Sequence, residues 1–345
     1  MLPATDWKET IPADEAERFE RYAQEMRALQ GLRARAQGMG RALHARAQAG
    51  VEATFEVLPD LPEHARVAFF ASPATYRAYV RFSNGSGVRQ PDRKPDVRGV
   101  AIKVFGIPGK KIIPGLENAR TQDFLLIHTP AMPVRNADEF FALVRAAKNP
   151  LLLLPRLIGG LGLVRALQVL PRLARGLSTP ITSLATTRYF SAVPIRFGPY
   201  AVKLSLTPHA SPGGKDENGG KARMPQDLGA ELGERLLRGP VVYDFRVQFY
   251  RDEQRTPIED ASVEWLEEPA PFVTVARLTL LAQDMGSPRG QRIGEVIETL
   301  SFDPWHALEE LRPLGNVMRA RSPAYRESVL GRGAAPEPDE PVAID

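Results

Sequence analysis

The sequence predicts an α+β protein built on an eight-stranded antiparallel β-barrel with helices around it. Short runs rich in β-branched and aromatic residues, bounded by Pro, Gly and Asp, recur from residue 51 to residue 281. Most of these runs follow one another without the helical crossover that parallel strands need. We therefore predict one barrel domain over residues 37–333, with a helical arm before it (1–36) and a disordered acidic tail after it (334–345).

The individual elements follow from hydrophobic periodicity. The first helix is predicted over residues 14–36, because Phe19, Tyr22, Met26 and Leu29 recur at helical spacing. Strands are predicted, in chain order, at residues 51–58, 76–83, 99–106, 123–129, 198–208, 241–251, 262–266 and 272–281. Further helices are predicted at residues 137–148, 225–237 and, as a pair, within 305–332. The Gly-rich polar stretch 211–222 is predicted to be a solvent loop.

The most apolar segment is residues 151–177, where leucines alternate with arginines. Pro155, Pro171 and four arginines interrupt it, so it falls short of the ~20 apolar residues of a membrane span. We predict two short helices that are separated at Pro171 and cover the core. An apolar entrance to a functional site and a contact with a membrane surface are the alternatives.

Composition excludes several classes of function. The 345 residues contain no cysteine, which excludes disulfides, iron–sulfur clusters and thiolate ligation of haem. Basic residues number 45 and acidic residues 41, and the resulting net charge of +4 does not indicate nucleic-acid binding. The polar N-terminus has no apolar core of a signal peptide, so we expect a cytoplasmic protein without firm membrane association.

Common catalytic motifs are missing from the sequence. It has neither of the glycine-rich phosphate loops, no HExxH and no GxSxG. The five histidines lie far apart, and none forms a metal-ligand pair with a close neighbour. Hydrolase and nucleotide-binding functions therefore have little support.

The segment NVMRARSPAYRESVLGR carries the most informative pattern. Arg321, Tyr325 and Arg332 fall on one face of a helix there. A tyrosine binds ferric iron as a phenolate, and a guanidinium one turn away lowers a tyrosine pKa from its usual value of about 10. A further arginine can bind a carboxylate with two hydrogen bonds. By spacing alone, two solvated arginines and a packed tyrosine are the alternative.

Several motifs together make the sequence resemble the haem catalase family. The family's R-x-x-x-Y with a later arginine is present as Arg321–Tyr325 and Arg332, and its R-F-S strand as Arg81–Ser83. RALHA and DVRGVAIKVF match two further family motifs in order and spacing, at residues 41–45 and 96–105. The resemblance covers most of the chain. It implies the catalase-type barrel and a haem b whose iron takes Tyr325 as axial ligand.

The resemblance also implies roles for other residues. His44 corresponds to the distal histidine that moves a proton between the peroxide oxygens, and Ser83 to the serine that orients its ring. Matches to haem-propionate ligands are Arg41, Arg81 and Arg332. Phe140 or Phe141 corresponds to the aromatic residue that stacks on the haem. Thr121 stands where catalases place an asparagine in the distal pocket, with Asn118 as the alternative.

The function implied is that of a haem-dependent peroxidase or catalase. It would reduce hydrogen peroxide or organic hydroperoxides through an oxoferryl intermediate, with a second peroxide or a small organic donor as the reductant. The chain lacks the long arms that interlock catalase tetramers, so we expect a homodimer. The alternatives are rearrangement of fatty-acid hydroperoxides, as in allene oxide synthases, and haem binding or sensing without turnover. Leu43 before His44 favours peroxide reduction, because those synthases carry threonine there.

Overall fold

The computed structural model describes residues 2–38, 40–147, 149–209 and 227–342. Within these ranges the strands are β1 (Ala47–Val57), β2 (Ala74–Asn84), β3 (Arg98–Phe105), β4 (Thr121–Ile127), β5 (Tyr189–Phe190), β6 (Ile195–Phe197), β7 (Tyr200–Pro208), β8 (Val241–Phe249) and β9 (Phe272–Leu280). The helices are α1 (Glu15–Gln37), α2 (Ala137–Ala146), α3 (Leu153–Leu161), α4 (Leu163–Ser178), α5 (Leu228–Arg238), α6 (Pro288–Thr299) and α7 (Asn316–Arg332).

Eight of the strands close into an antiparallel barrel. The sheet runs in the order β5, β4, β3, β2, β1, β9, β8, β7, β6. The short strand β5 closes it, because Ile127 of β4 pairs with Phe190 while Tyr189 pairs with Leu206 of β7. β6 adds to β7 outside this ring. The predicted eight-stranded barrel with flanking helices is therefore confirmed.

Aromatic side chains fill the interior of the barrel. Phe55 of β1, Phe124 of β4 and Phe245 of β8 are buried, and their ring centroids lie 4.9 to 6.1 Å apart. Burial of each such ring stabilises the fold by about 1.5–3 kcal/mol. The barrel is thus a packed core, and a cofactor site has to lie on its outer surface.

Helices α1, α2 and α7 form a layer against one side of the barrel. Arg319 of α7 ties the layer together through ion pairs with Glu9, Glu15 and Glu259. Asn316 at the start of α7 donates to Glu15 and accepts from the backbone N–H of Ala137, the first residue of α2. These contacts fix the position of α7, and with it Tyr325.

Two helix boundaries differ from the sequence prediction. The segment 151–177 breaks at Gly162, whose φ of 78° suits glycine, and α4 continues through Pro171. Pro171 is exposed, so water can satisfy the carbonyl that loses its helical N–H partner. Residues 305–332 hold one α-helix, preceded by a single 3₁₀ turn at Glu309–Leu311.

The predicted strand at 262–266 is irregular backbone. Gln248 of β8 donates its side-chain N–H groups to the carbonyls of Trp265, Leu266 and Ala270, so these carbonyls bond to a side chain rather than to a neighbouring strand. β5, β6 and α6 were not predicted. The predicted solvent loop at 211–222 lies outside the described residues.

The two ends of the chain pack on the domain. The predicted arm contributes α1, where Phe19, Tyr22 and Met26 are buried with Phe141 of α2 and Ala320 of α7. The predicted disorder of the tail is wrong for residues 334–342, because they lie along the barrel and bury Glu337. Residues 343–345 lie outside the described part of the chain. Among the described residues, no helix is long and apolar enough to cross a bilayer.

The tail completes a buried ionic cluster. The Lys103 ammonium lies 2.8 Å from Asp123 and contacts Glu337, and His306 lies 3.1 Å from Asp123. Burial lowers the pKa of Lys103, but the two carboxylates outweigh it and raise that pKa. Asp123, His306 and Glu337 are residue types that bind metals, but the Lys103 ammonium already contacts both carboxylates and offsets one of their two negative charges.

We expect Lys103→Met to lower the free energy of unfolding by about 3–5 kcal/mol, because it leaves two buried carboxylates without a cation. Lys203→Met is the matched control. Lys203 is also buried, but the pKa of its amine is lowered to about 7 and its only described hydrogen bond goes to the Val263 carbonyl. We expect the control substitution to lower the free energy of unfolding by about 1 kcal/mol. Urea unfolding measures both, and equal losses would contradict this account of the cluster.

Candidate functional site

His44 lies in the connection between α1 and β1, on the outer surface of the barrel. Its backbone φ is 55°, a left-handed conformation that few residues other than glycine adopt. Two hydrogen bonds hold it there: its N–H donates to Gly85 over 3.1 Å, and its carbonyl accepts from Arg81 over 3.0 Å. Strained backbone kept in place by such contacts is common at functional sites.

The ring of His44 is oriented by the ends of two strands. Nδ1 lies 3.0 Å from Oγ of Ser83, at the end of β2. Ser83 pairs with Gly99 of β3, and a Cβ at Gly99 would lie 2.7 Å from Cε1 of His44. The glycine of the DVRG motif therefore provides the space for the imidazole. With Nδ1 engaged by Ser83, Nε2 is the nitrogen left for chemistry.

His44 is held in its neutral form. Burial and, to a smaller extent, the nearby guanidiniums of Arg81, Arg321 and Arg41 together lower the pKa of His44 to about 3. A neutral imidazole can accept a proton, so the environment suits a general base.

We expect Gly99→Ala to displace the His44 ring and to slow any reaction that depends on it by at least about tenfold, since small misplacements of catalytic groups have large effects on rate. Gly31→Ala, in α1, is the control, because a Cβ there meets nothing within 4 Å. Peroxide consumption by both variants tests this. A Gly99→Ala protein with the native rate would show that the ring position does not matter.

Three of the predicted arginines converge at the C-terminal end of α6. Arg41 and Arg81 both bind the carboxylate of Glu298, and Arg81 does so at 2.8 Å. Arg332 donates to the carbonyls of Thr299 and Leu300, and Arg41 shares the Leu300 carbonyl. The structure thus brings together residues from the start of the chain, from β2 and from α7.

The cluster contains more positive than negative charge. Among the described residues, Glu298 is the one carboxylate that ion-pairs with Arg41 and Arg81, and its charge also acts on Arg332. Burial, opposed by Glu298 and reinforced by Arg81, lowers the pKa of Arg332 to about 10. A dianionic group such as the two propionates of a haem would offset the excess charge, so the cluster fits that cofactor.

Glu298 is a site residue that the sequence analysis missed. Burial raises the pKa of its carboxyl, but Arg81 and Arg41 outweigh this and lower it. The signal available in the sequence was a lone acidic residue near the end of an unpredicted helix. It becomes interpretable only when the fold brings the arginines around it.

Tyr325 lies on α7, one turn after Arg321. The same arginines that act on His44 also act on Tyr325, namely Arg321, Arg41 and Arg81. Burial raises the pKa of Tyr325, and the arginines only partly offset that rise. The prediction that Arg321 lowers this pKa is confirmed, but desolvation of the phenolate is the larger effect, so the net shift in the protein alone is upward.

The structure distinguishes the two phenylalanines of α2. Phe141 is buried and stacks on Tyr22 of α1, with ring centroids 4.2 Å apart, so its contacts are those of a packing residue. Phe140 is only partly buried and packs in the same cluster as Leu43, the neighbour of His44. Phe140 is therefore the better placed of the two to stack on a cofactor.

Thr121 does not lie beside His44. It pairs with Phe105 at the far end of β3, six residues along the strand from Gly99, which corresponds to about 20 Å. Its hydroxyl donates to Glu337 in the ionic cluster. Asn118 is exposed in the β3–β4 connection. The predicted role of Thr121 in the distal pocket is thus wrong, and Asn118 does not replace it.

Comparisons with known proteins show which proteins this chain is similar to. The chain is 30% identical over 287 residues to a catalase-related peroxidase of Mycolicibacterium paratuberculosis, covering 77% of this chain and 82% of the relative. It superposes on a fungal catalase with a TM-score of 0.65 at 19% identity, over 89% of this chain. It also superposes on a bacterial catalase with a TM-score of 0.62 at 17% identity, over 96% of this chain. The matched part is 63% of each solved catalase. No family model matches the sequence.

Proposed function

The chain belongs to the catalase-like family that includes the catalase-related peroxidases, and from that premise we propose that it is a haem-dependent enzyme that reduces peroxides. The observation that carries the proposal is the convergence of His44, Tyr325 and the propionate-type arginines on one site outside the barrel. The substrate would be hydrogen peroxide or an organic hydroperoxide, and the reductant a second peroxide or a small organic donor.

In this proposal the residues divide into two groups. Arg41, Arg81 and Arg332 would bind the propionates, and Tyr325 would supply the phenolate that ligates the iron. The haem, when bound, would accept the two oxidising equivalents of the peroxide and pass them to the donor. Phe140 would stack on the macrocycle and exclude water from one edge.

The protein's own contribution to peroxide cleavage would be proton transfer. Nε2 of His44 would accept the proton from one peroxide oxygen and return it to the other, which leaves as water or an alcohol. Ser83 would keep the ring in the required tautomer by accepting the N–H of Nδ1. Two electrons and two further protons from the donor complete the reduction to water.

The test is an absorption titration of the purified full chain with haem b. We expect one haem per chain and a high-spin ferric spectrum of the tyrosinate type, which changes on addition of hydrogen peroxide. Failure to bind haem at stoichiometric level would overturn the proposal.

The outcome with peroxide separates the remaining possibilities. Release of oxygen indicates catalase activity, and oxidation of an added phenol without oxygen release indicates peroxidase activity. Conversion of a fatty-acid hydroperoxide with no donor consumed would indicate the rearrangement reaction instead. Bound haem that does not react with any peroxide would identify a haem-binding or sensing protein.

A further inference from the structure

The outer side of α3 and α4 exposes apolar side chains to solvent. Leu151 is 91% exposed and Val164 is 72% exposed. Leu157, Ala166 and Val169 are the buried side chains of the two helices, and they pack towards α2. The remaining exposed leucines of this region are Leu152, Leu154, Leu163 and Leu167. Exposed apolar groups this close together mark an interaction site in a folded protein. We call residues 151–175 on this side the α3–α4 surface.

The exposed residues of α4 form one strip along the helix. Leu163, Leu167 and Pro171 follow each other at intervals of four residues and therefore lie on one face. Arg172 and Arg175 lie beside this strip and are also exposed. An apolar strip bordered by arginines is the pattern of a helix that lies in a membrane interface.

All the charged side chains that the α3–α4 surface exposes are cationic. Arg156, Arg172 and Arg175 are exposed and form no ion pair with any described residue. The sequence has no Asp or Glu from residue 140 to residue 215. Arg165 differs, because it points inward and pairs with Glu139 of α2 at 2.6 Å. The positive charge of this surface therefore favours an anionic partner.

A second copy of the chain does not satisfy this requirement. In a two-fold symmetric dimer the same surface meets itself, so these arginines would face arginines. An anionic bilayer supplies phosphates for the arginines and an apolar layer for the leucines.

We propose that the α3–α4 surface docks the protein on the face of an anionic lipid bilayer. The leucines would enter the boundary between headgroups and acyl chains, and the arginines would contact lipid phosphates. The helices would lie on the membrane and not cross it. This differs from our expectation that the helix pair only covers the core and that the protein has no firm membrane association.

The experiment is flotation of the purified full chain with lipid vesicles. We expect binding to vesicles containing phosphatidylglycerol and at least about tenfold weaker binding to pure phosphatidylcholine, since each basic residue near an anionic surface contributes to binding. Raising the salt to about 1 M should weaken the binding, because it screens the headgroup charge. Equal binding to both vesicle types, or none to either, would overturn the proposal.

Variants locate the binding surface. The combined change Leu163→Gln, Val164→Gln, Leu167→Gln should abolish flotation, and so should Arg172→Glu with Arg175→Glu. The matched controls are Leu237→Gln with Leu266→Gln and Leu330→Gln, and Arg238→Glu with Arg292→Glu, which change equally exposed residues elsewhere. All these side chains are at the surface, so the fold is expected to survive, and circular dichroism checks this.

Sedimentation velocity tests the alternative that a second copy of the chain occupies the α3–α4 surface. If the native protein is a dimer and the leucine variant is a monomer, the α3–α4 surface is a contact between two copies and the membrane proposal is wrong. Control variants that lose flotation as strongly as the α3–α4 variants would also overturn it. None of these results depends on haem, so they stand apart from the test of the proposed enzyme.

Discussion

Replacement of Tyr325 by phenylalanine is expected to abolish the tyrosinate-type haem spectrum and to lower the rate of peroxide reduction by more than about a hundredfold. Residues that merely support a metal ligand already contribute 10–100-fold, and Tyr325 would be the ligand itself. The change removes one hydroxyl and keeps the ring, so α7 should pack as before. Tyr250→Phe, another buried tyrosine that lies in a different cluster, is the matched control.

The raised pKa of Tyr325 adds a second readout. Because burial outweighs Arg321, the free protein holds this residue as a neutral phenol, and iron binding has to release its proton. Haem affinity should therefore rise with pH in the native protein and in Tyr250→Phe, and this dependence should be lost in Tyr325→Phe. A Tyr325→Phe protein that keeps both the native spectrum and the pH dependence would exclude Tyr325 as the ligand.

Much of the fold and most of the site were predictable because the signals are local. RALHA, RFS, DVRG and RSPAY each place a side chain within a few residues of a strand or helix end, and the barrel brings those ends together. The His44–Ser83 contact and the space at Gly99 follow from these motifs. Strand β5, with two residues, is too short to show any periodicity, although it closes the barrel.

The features that the sequence analysis missed or misplaced depend on contacts between segments that are distant in the sequence. Glu298 has no motif, and its meaning comes from Arg41 and Arg81, which precede it by more than 200 residues in the sequence. Thr121 was assigned by aligning the strand TQDFLLI with the family strand that follows the distal asparagine, but the register of β3 and β4 puts it at the opposite end of β3 from Gly99. The net direction of the Tyr325 pKa shift depends on how deeply the side chain is buried. The pattern of residues on one helix face does not show that burial.

The excess positive charge around Glu298 bears on the binding of an anionic cofactor. Burial lowers the pKa of Arg41 well below its usual range, and repulsion from Arg81 adds to this effect. Bringing two propionates to the cluster would relieve that repulsion. In the proposed function, Glu298 would hold the arginine cluster in place for the propionates, at some cost in stability to the free protein.

Replacement of His44 by alanine should leave haem binding intact and slow the reaction with peroxide by about 10²–10⁴-fold, the contribution typical of a positioned general base. Ser83→Ala should have a smaller effect of the same kind, because the ring remains but loses the hydrogen bond that sets its tautomer. Stopped-flow absorption of haem-loaded protein measures both rates. Haem spectra of the variants before mixing confirm that the iron site is unchanged.

The pH dependence of the same reaction tests the environment of His44. Because the pKa of His44 is lowered to about 3, the imidazole stays neutral and able to accept a proton far below its ordinary pKa of about 6.5. The native rate should therefore show no decline between pH 7 and pH 5. A decline centred near pH 6.5 that disappears in His44→Ala would mean that the ring is solvated in the loaded enzyme. In that case neither burial nor the arginines would hold the base in its neutral form.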